Sequence, residues 1–464
     1  MPGHRFIPEY YYPKTYNFIS ARREKGGGFV FNPYLYTEKW IDDFEFDVLE
    51  LSDGIHSVSD IIDSVSSVHC VFNEESEKRV YDCLKDLHNY CALKWERRPN
   101  LEGANRSWRN AKQTGKESTD YYSAPISILW DLTYTCNMRC QHCLVGDLPL
   151  VKEMDLEEIK KTLTVLKNAG VFRINFSGGE PLLKSDLLNI LKKSSELNFG
   201  VTLSTNGLLL NRGLLEELKN LDVYCFQISL DGLGQTHDSI RGVNGAYEKT
   251  VDALKEAASM GFYTVMSTTV TKLSLHQIGR LLDLAVSLGV SSFKLNTCMQ
   301  AGRGAKNRNC LAVTGEEVRL LAIEMAKKRK EYEGLIDMQL DALCPWLLCP
   351  EPVPPAARGI NSSNKLGCSA GYTTLVIAPD GETFPCPFLT DFSLGNILER
   401  PLAELWHDNS GILGKLRNLD PEDLKGKCKG CGYIPEHCAG GCRAAAYVVN
   451  GDFYGEDPSC WKIA

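Results

Sequence analysis

The sequence predicts an α/β fold whose centre is a partial (β/α)6 barrel of the TIM type, with a winged-helix-like domain before it and a cysteine-rich domain after it. Three observations carry this. From Pro125 to about Lys330, short β-rich runs alternate six times with amphipathic helical stretches, the pattern of βα units around a parallel sheet. Residues 28 to 96 are rich in aromatic and acidic side chains. Seven cysteines lie between Cys368 and Cys460.

Residues 1 to 27 read as an N-terminal extension. After it, Gly28-Phe-Val-Phe31 has strand character, Asp47 to Gly54 reads as a helix ended by glycine, and Ser57 to Ser64 as a second helix. Val80, Leu84 and Leu87 recur at helical spacing within Glu77 to Tyr90, and Ala92 to Trp95 returns as a strand. This is a small winged-helix arrangement spanning 28 to 96. Such domains often bind DNA, but Asp42, Asp43, Glu45, Asp47, Glu50 and Asp53 make this one acidic, which argues against a phosphate backbone as its partner. The polar, basic stretch from 97 to 124 reads as a linker.

The barrel domain is assigned to 125–335. Its strands are expected at Ile126 to Leu132, Phe172 to Phe176, Val201 to Ser204, Tyr224 to Leu230, Phe262 to Thr269 and Ser292 to Asn296. Asp155 with Glu158, Ser274 with Gln277, and Thr314 with Glu317 fit the capping box that starts a helix. Six units are fewer than the eight of a closed barrel, so an open mouth follows.

Active sites of parallel βα folds lie at the carboxyl ends of the strands. After the first strand stand Cys136, Cys140 and Cys143. Three thiolates are one short of filling a four-iron cluster, which leaves one iron open for chemistry. A structural zinc site would want four ligands. The second strand is followed by Ser177-Gly-Gly-Glu180, the third by Thr205-Asn-Gly207, the fourth by Asp231 and then Arg241, the sixth by Gly302-Arg-Gly304. Glycines allow a ligand close to the backbone, and an arginine is a natural bidentate partner for a carboxylate. Taken singly, each of these has a bland explanation as a turn, a cap or a solvated charge.

The C-terminal domain, 336–464, holds Cys368 and Cys386 around a hairpin that turns at Asp380-Gly381, then Cys428, Cys431, Cys438, Cys442 and Cys460. A zinc ribbon also suits short cysteine spacings, although seven thiols exceed one tetrahedral site and fall one short of two. Cys344 and Cys349 lie upstream as further candidates for an eighth ligand. Cys70, Cys83, Cys91, Cys225 and Cys298 are expected to be buried small hydrophobes.

Composition sets outer limits. Hydrophobic residues make up 43% and charged residues 24% of the 464, as in a soluble globular protein. A net charge of −8 disfavours nucleic acid or an anionic membrane as partner. No run approaches the ~20 apolar residues of a membrane span, so a cytoplasmic location is expected. Eighteen cysteines in a reducing compartment point to metal rather than disulfides.

The rim loops taken together resemble, residue for residue, the core of the radical S-adenosylmethionine (SAM) enzymes. The resemblance implies that Cys136, Cys140 and Cys143 hold the SAM-cleaving cluster, and that Gly178, Gly179 and Glu180 flank the methionine amine. It puts Ser204, Asn206, Ser229 and Asp231 near the ribose or methionyl end, Arg241 at the SAM carboxylate and Leu295 beside adenine. The text around the later cysteines, with Gly395-Asn-Ile-Leu-Glu399 and Gly440-Gly-Cys-Arg443, resembles the SPASM extension and its two auxiliary four-iron clusters. That implies Cys428, Cys431, Cys438 and Cys460 for one, and Cys368, Cys386 and Cys442 for the other, with Cys344, Cys349 or a substrate thiolate completing it. Asp47 to Ile62 is similar to the leader-binding element of maturases that act on ribosomally made peptides. The whole is similar to sactipeptide and ranthipeptide thioether synthases. The resemblance implies SAM, three [4Fe-4S] clusters, a precursor peptide and a flavodoxin- or ferredoxin-type electron donor, with a cysteine sulfur joined to a peptide carbon after hydrogen removal by a 5′-deoxyadenosyl radical. Other SPASM oxidations or carbon–carbon crosslinks of a peptide remain the alternative, and a non-enzymatic zinc-binding winged-helix protein the remote one.

Overall fold

The computed structural model describes residues 10–35, 37–71, 74–100, 121–149, 151–340 and 366–462. The chain forms two compact units. One comprises the described residues before 101 together with Leu166–Phe172 and Asn198–Gly200; the other holds the rest.

The N-terminal unit runs β1 (Tyr12–Thr15), β2 (Ser20–Glu24), β3 (Gly27–Asn32), β4 (Thr37–Asp42), α1 (Asp43–Leu51), α2 (Val58–Val68), α3 (Glu74–Asn89) and β5 (Leu93–Glu96). β2, β3 and β4 form an antiparallel sheet in that order, and β1 pairs antiparallel with β5. The stretch set apart by sequence as an extension therefore supplies two strands, and β5 returns onto the first of them, β1. β1 is short and carries Pro13, which obscures a strand signal and confines it to a sheet edge. α1 begins at Asp43, earlier than periodicity suggests, because Asp42 and Glu45 cap it reciprocally. α2 is started in the same way by Ser57 and Asp60. Phe46, Val48, Leu49, Ile61, Val65 and Leu84 meet in its core with no exposure. Cys83 is buried there, whereas Cys70 and Cys91 are exposed just beyond α2 and α3, with φ of 54° and 55°. Those two are residues of left-handed turns, a role that the apolar character of cysteine does not reveal.

The second unit continues through β6 (Ser127–Thr133), α4 (Leu156–Asn168), β7 (Arg173–Gly178), α5 (Leu187–Glu196), β8 (Gly200–Thr205), α6 (Arg212–Lys219), β9 (Val223–Ser229), α7 (Gln235–Arg241), α8 (Ala246–Ser259), β10 (Tyr263–Val270), α9 (Ile278–Ser287) and β11 (Ser292–Thr297). Then come α10 (Gly302–Lys306), α11 (Arg308–Leu311), α12 (Gly315–Glu331), β12 (Asp337–Gln339), β13 (Thr374–Ile377), β14 (Glu382–Phe384), β15 (Gly395–Asn396), α13 (Leu402–His407), α14 (Ile412–Arg417) and α15 (Arg443–Asn450). The six expected strands are present within two residues at each end. They belong to one ten-stranded sheet ordered β12-β11-β10-β9-β8-β7-β6-β13-β14-β15. β13 runs parallel to β6, Thr374 beside Ser127, so the cysteine-rich region extends the barrel sheet; β13 and β14 form the hairpin turning at Gly381.

Capping follows sequence at two of three helix starts. Asp155 and Glu158 exchange backbone bonds, as do Thr314 and Glu317. Ser274 makes no cap: its hydroxyl pairs with Thr271, and Gln277 accepts from the Leu233 amide, which leaves a 3-10 turn before α9. On the helix-facing side of the sheet, Trp130 and Phe176 are fully buried with ring centroids 5.9 Å apart. Trp130→Ala should cost about 3–5 kcal/mol of unfolding free energy, whereas Leu183→Ala, at a side chain 40% exposed, should stay within about 0.5 kcal/mol. Urea titration of both variants checks this, and a small loss at Trp130 would refute the packing argument.

Candidate metal centre

The loop leaving β6 carries Cys136, Cys140 and Cys143 at the carboxyl end of the sheet. It is laid against the end of α7: Arg139 N donates to Arg241 O at 3.1 Å and Gln141 N to Ile240 O at 2.8 Å. On its other side Arg303 N donates to Cys143 O at 2.9 Å. Met138 N donates to Cys136 Sγ at 3.4 Å, and Arg241 Nη1 to Cys140 Sγ at 3.7 Å. Burial raises the Cys136 and Cys140 thiols, and each of the two feels Cys143 as well. The Cys143 thiol lies close enough to the Arg303 guanidinium to raise it. A guanidinium bonded to Cys140 and a second beside Cys143 suit an anionic, thiolate-ligated group. Among the described residues no three His, Cys, Asp or Glu side chains surround a point at single-ion distance.

Beneath this loop lies a buried charge network. Asp231 is fully buried; its Oδ1 accepts from Thr269 N at 2.8 Å, and its Oδ2 faces Arg241 Nε at 2.7 Å and His142 Nε2 at 3.4 Å. The Arg241 contact is an ion pair without aligned hydrogen-bond geometry at that oxygen. Burial pushes the Asp231 carboxyl up, but Arg241, first among the opposing groups, and the Thr269 amide hold it below its ordinary value. His237, which accepts from Asp231 N at 3.1 Å, is pushed down to about 4 by burial and Arg241. His142 is also lowered, first by burial. Both imidazoles are therefore neutral, and the cation of the network is Arg241. The sequence places Asp231 and Arg241 at a ligand; the structure binds them to each other and to Cys140, because an unpaired charge at this depth would be too costly.

The glycines of Gly178-Gly-Glu180 serve protein packing. Gly178 has φ 119°, and a Cβ there or on Gly179 would collide with the Thr133 or Thr135 carbonyl. Gly179 N and Glu180 N donate to those same two carbonyls at 2.7 and 2.9 Å. Glu180 is fully buried and accepts from Thr205 Oγ1, Asn206 N and Leu182 N at 2.7, 2.8 and 3.1 Å. Asn206 Nδ2 reaches Asn137 Oδ1 at 2.6 Å, so the second and third rim loops brace the cysteine loop.

The inner face of the sheet is polar. Ser204 Oγ donates to Asn175 at 2.8 Å, Lys294 Nζ to Gln227 at 3.1 Å and Asn296 Nδ2 to Ser267 at 2.9 Å, with Ser229 beside Ser267 in register. Closed barrels fill this space with branched apolar side chains; here hydroxyls, amides and an ammonium stand in their place. Leu295 is on the opposite side: alternation along β11 turns it away from Lys294 and Asn296, and it is only 2% exposed. Its side chain thus packs against the helices and does not line the inner face.

In the cysteine-rich region the thiols fall into two neighbourhoods. Burial and the proximity of Cys368 and Cys442 raise Cys386, while burial and Cys368 push Cys442 up to about 12. Cys438 is raised by burial and by Cys428 and Cys431, and Cys460 is pushed up to about 11 by burial, Asp457, Cys438 and Cys428. The buried Asp457 links the two, its Oδ2 accepting from Cys442 N at 2.6 Å. Thiols held protonated by burial need a metal to deprotonate them, and both groups, one of four thiols and one of three, have the donor chemistry of iron–sulfur ligation. Cys344 and Cys349 lie outside the described residues. Cys225 is buried on β9, and Cys298 is half-buried in a cleft with Met299, Val318, Val449 and Ser459.

Residues 130–285 match the radical SAM superfamily and residues 368–432 the iron–sulfur cluster-binding SPASM domain. An AdoMet-dependent heme synthase of Methanosarcina barkeri is 33% identical over 350 residues, 73% of this chain and 97% of that protein. The mycofactocin maturase MftC of Mycolicibacterium smegmatis is 31% identical over 73% of this chain and 83% of its own. The fold is similar to that of Streptococcus suis SuiB bound to its precursor peptide SuiA, with a TM-score of 0.69 at 18% identity over 97% of this chain and 100% of that one. The cysteine loop, its bracing rim and these matches have one meaning: the chain is an enzyme of the radical SAM superfamily that carries an iron–sulfur cluster-binding C-terminal domain.

Proposed function

We propose that this enzyme matures a ribosomally made precursor peptide by joining a cysteine sulfur to a peptide carbon. The observation that carries the reading is an acidic N-terminal unit with an open sheet edge on the same chain as a radical SAM core. β4 is an edge strand, and α3 lies alongside it through the Lys39–Asp86 and Arg79–Asp42 pairs. Trp40 on β4 is 38% exposed, and Tyr34 and Leu35 just before it are 59% and 42% exposed. An extended leader peptide adds to such an edge through its backbone and is selected by its side chains. The maturase name of the relative MftC and the precursor peptide bound by the structurally similar SuiB support the same substrate class.

Cys136, Cys140 and Cys143 would hold the SAM-binding [4Fe-4S] cluster, with Arg241 and Arg303 balancing thiolate charge. SAM would lie on the inner face, where Ser204, Asn206 and Ser229 stand, while Gly178, Gly179 and Glu180 shape its wall. When bound and reduced by a flavodoxin- or ferredoxin-type donor, the cluster and SAM supply a 5′-deoxyadenosyl radical. Asp231 and Arg241 keep the cysteine loop in register. The groups Cys428, Cys431, Cys438, Cys460 and Cys368, Cys386, Cys442 would hold two auxiliary clusters. The polar inner face orients the peptide and excludes bulk water, which confines a reactive species to one carbon.

The heme synthase match favours a second reading, in which the same core serves a step of heme synthesis. Co-expression with a candidate precursor peptide separates the two: thioether formation removes two hydrogens per link and one alkylatable thiol, and an unchanged peptide beside a modified porphyrin would overturn the proposal. Metal analysis of the anaerobically reconstituted protein should find about twelve irons per chain if three cubanes are present, and zinc without iron would refute the assignment. Cys140→Ala should abolish deoxyadenosine formation. Deleting residues 10–96 should spare deoxyadenosine formation and stop modification of a leader-bearing peptide; continued modification would refute the recognition role.

A further inference from the structure

Asp131 is a buried carboxyl that none of the roles above employs. It lies on β6, five residues before Cys136. Its register neighbour on β7 is Ser177, and it alternates with Trp130, whose ring packs on Phe176 at the opposite face. Asp131 therefore belongs to the polar inner face. It is 7% exposed, and among the described residues no hydrogen bond or ion pair engages its carboxyl. Asp337, at the far side of the same face, is held by Ser292 Oγ at 3.1 Å. An unpartnered carboxyl at this depth is costly unless it stays neutral or meets a ligand.

We propose that the Asp131 carboxylate accepts the proton of the substrate thiol that becomes the thioether sulfur. This rests on the thioether reading above. In the step, the S–H bond breaks heterolytically, the electron pair stays on sulfur, and the proton moves to a carboxylate oxygen; no electron is exchanged with the protein. An ordinary aspartate, at about 3.9, is a poor base toward a thiol at about 8.5. Burial alone raises Asp131 to about 7, which brings donor and acceptor within range of efficient transfer near neutral pH. The groups facing it preserve this. Tyr134, itself raised by burial, Asp131 and Asp380, is uncharged; β7 presents Asn175 and Ser177, with Arg173 two positions farther down, and β13 presents Val376, with Ala378 just past its end.

The test uses the reconstituted full chain with its precursor peptide and measures linked peptide per deoxyadenosine. Asp131→Asn should lower that ratio by about 100-fold or more, with deoxyadenosine released unproductively, and Asp131→Glu should restore part of it. In the wild type the ratio should rise with pH through about 7, and the Asn variant should show no such rise. An unchanged ratio in Asp131→Asn overturns the proposal. If the wild type links no peptide, the thioether reading fails instead, and thermal melts of the protein alone still decide on the carboxyl. A folded value above the unfolded one of about 3.9 means the unfolded chain loses its proton first. Stability then falls as pH rises from there through the folded value. Asp131→Asn should abolish that fall and melt higher than wild type at pH 8, roughly one unit above the folded value. Identical pH dependence of the two melting curves overturns the buried-acid premise and the proposal with it.

Discussion

The cysteine loop depends on one buried ion pair. Arg241 meets Asp231 through its Nε, reaches Cys140 through its Nη1, and accepts the Arg139 amide through its own carbonyl. One residue at the end of α7 thus fixes the loop by backbone and by side chain. Removing either partner of such a pair leaves a bare charge in a low-dielectric interior, at a cost of about 3–5 kcal/mol. The price of burying it is tolerable only because Thr269 N and two neutral imidazoles complete the surroundings of Asp231.

The same constraint shapes the rest of the rim. Glu180, fully buried, takes three donors from the second and third loops, and Asn206 passes that order on to Asn137 inside the cysteine loop. Polar groups at these positions serve one another before they serve a ligand. One layer inward, Ser204, Gln227, Ser267, Lys294 and Asn296 replace the apolar filling of a closed barrel.

Much of this was legible in the sequence because period and position agree. Strand–helix alternation located all six barrel strands, whereas the division of the later cysteines came from the resemblance to the SPASM extension and not from their spacing. What stayed hidden is non-local. Nothing in Leu375-Val-Ile377 says that it pairs with β6, since a parallel partner far along the chain leaves no periodic trace. Arg241 reads in isolation as a free cation; only its depth shows that Asp231 must claim it. Gly178 and Gly179 read as ligand contacts because sequence records the absence of a Cβ and not which atom fills the gap. Asp131 sits in an apolar run where a lone carboxylate could be a strand-end solvent contact, and its isolation emerges only with the sheet assembled.

The pairing of β13 with β6 has a consequence for biogenesis. Ser127 Oγ and Thr374 Oγ1 lie 3.2 Å apart across a sequence separation of 247 residues. During synthesis β6 leaves the ribosome with one flank unpaired, and that flank stays open until the strand from the cysteine-rich region has been made. At about 5–20 residues per second the interval is many seconds, with a sticky strand edge and three thiols displayed together. The edge beside the cysteine loop stays open for the same interval, until β13 seals it.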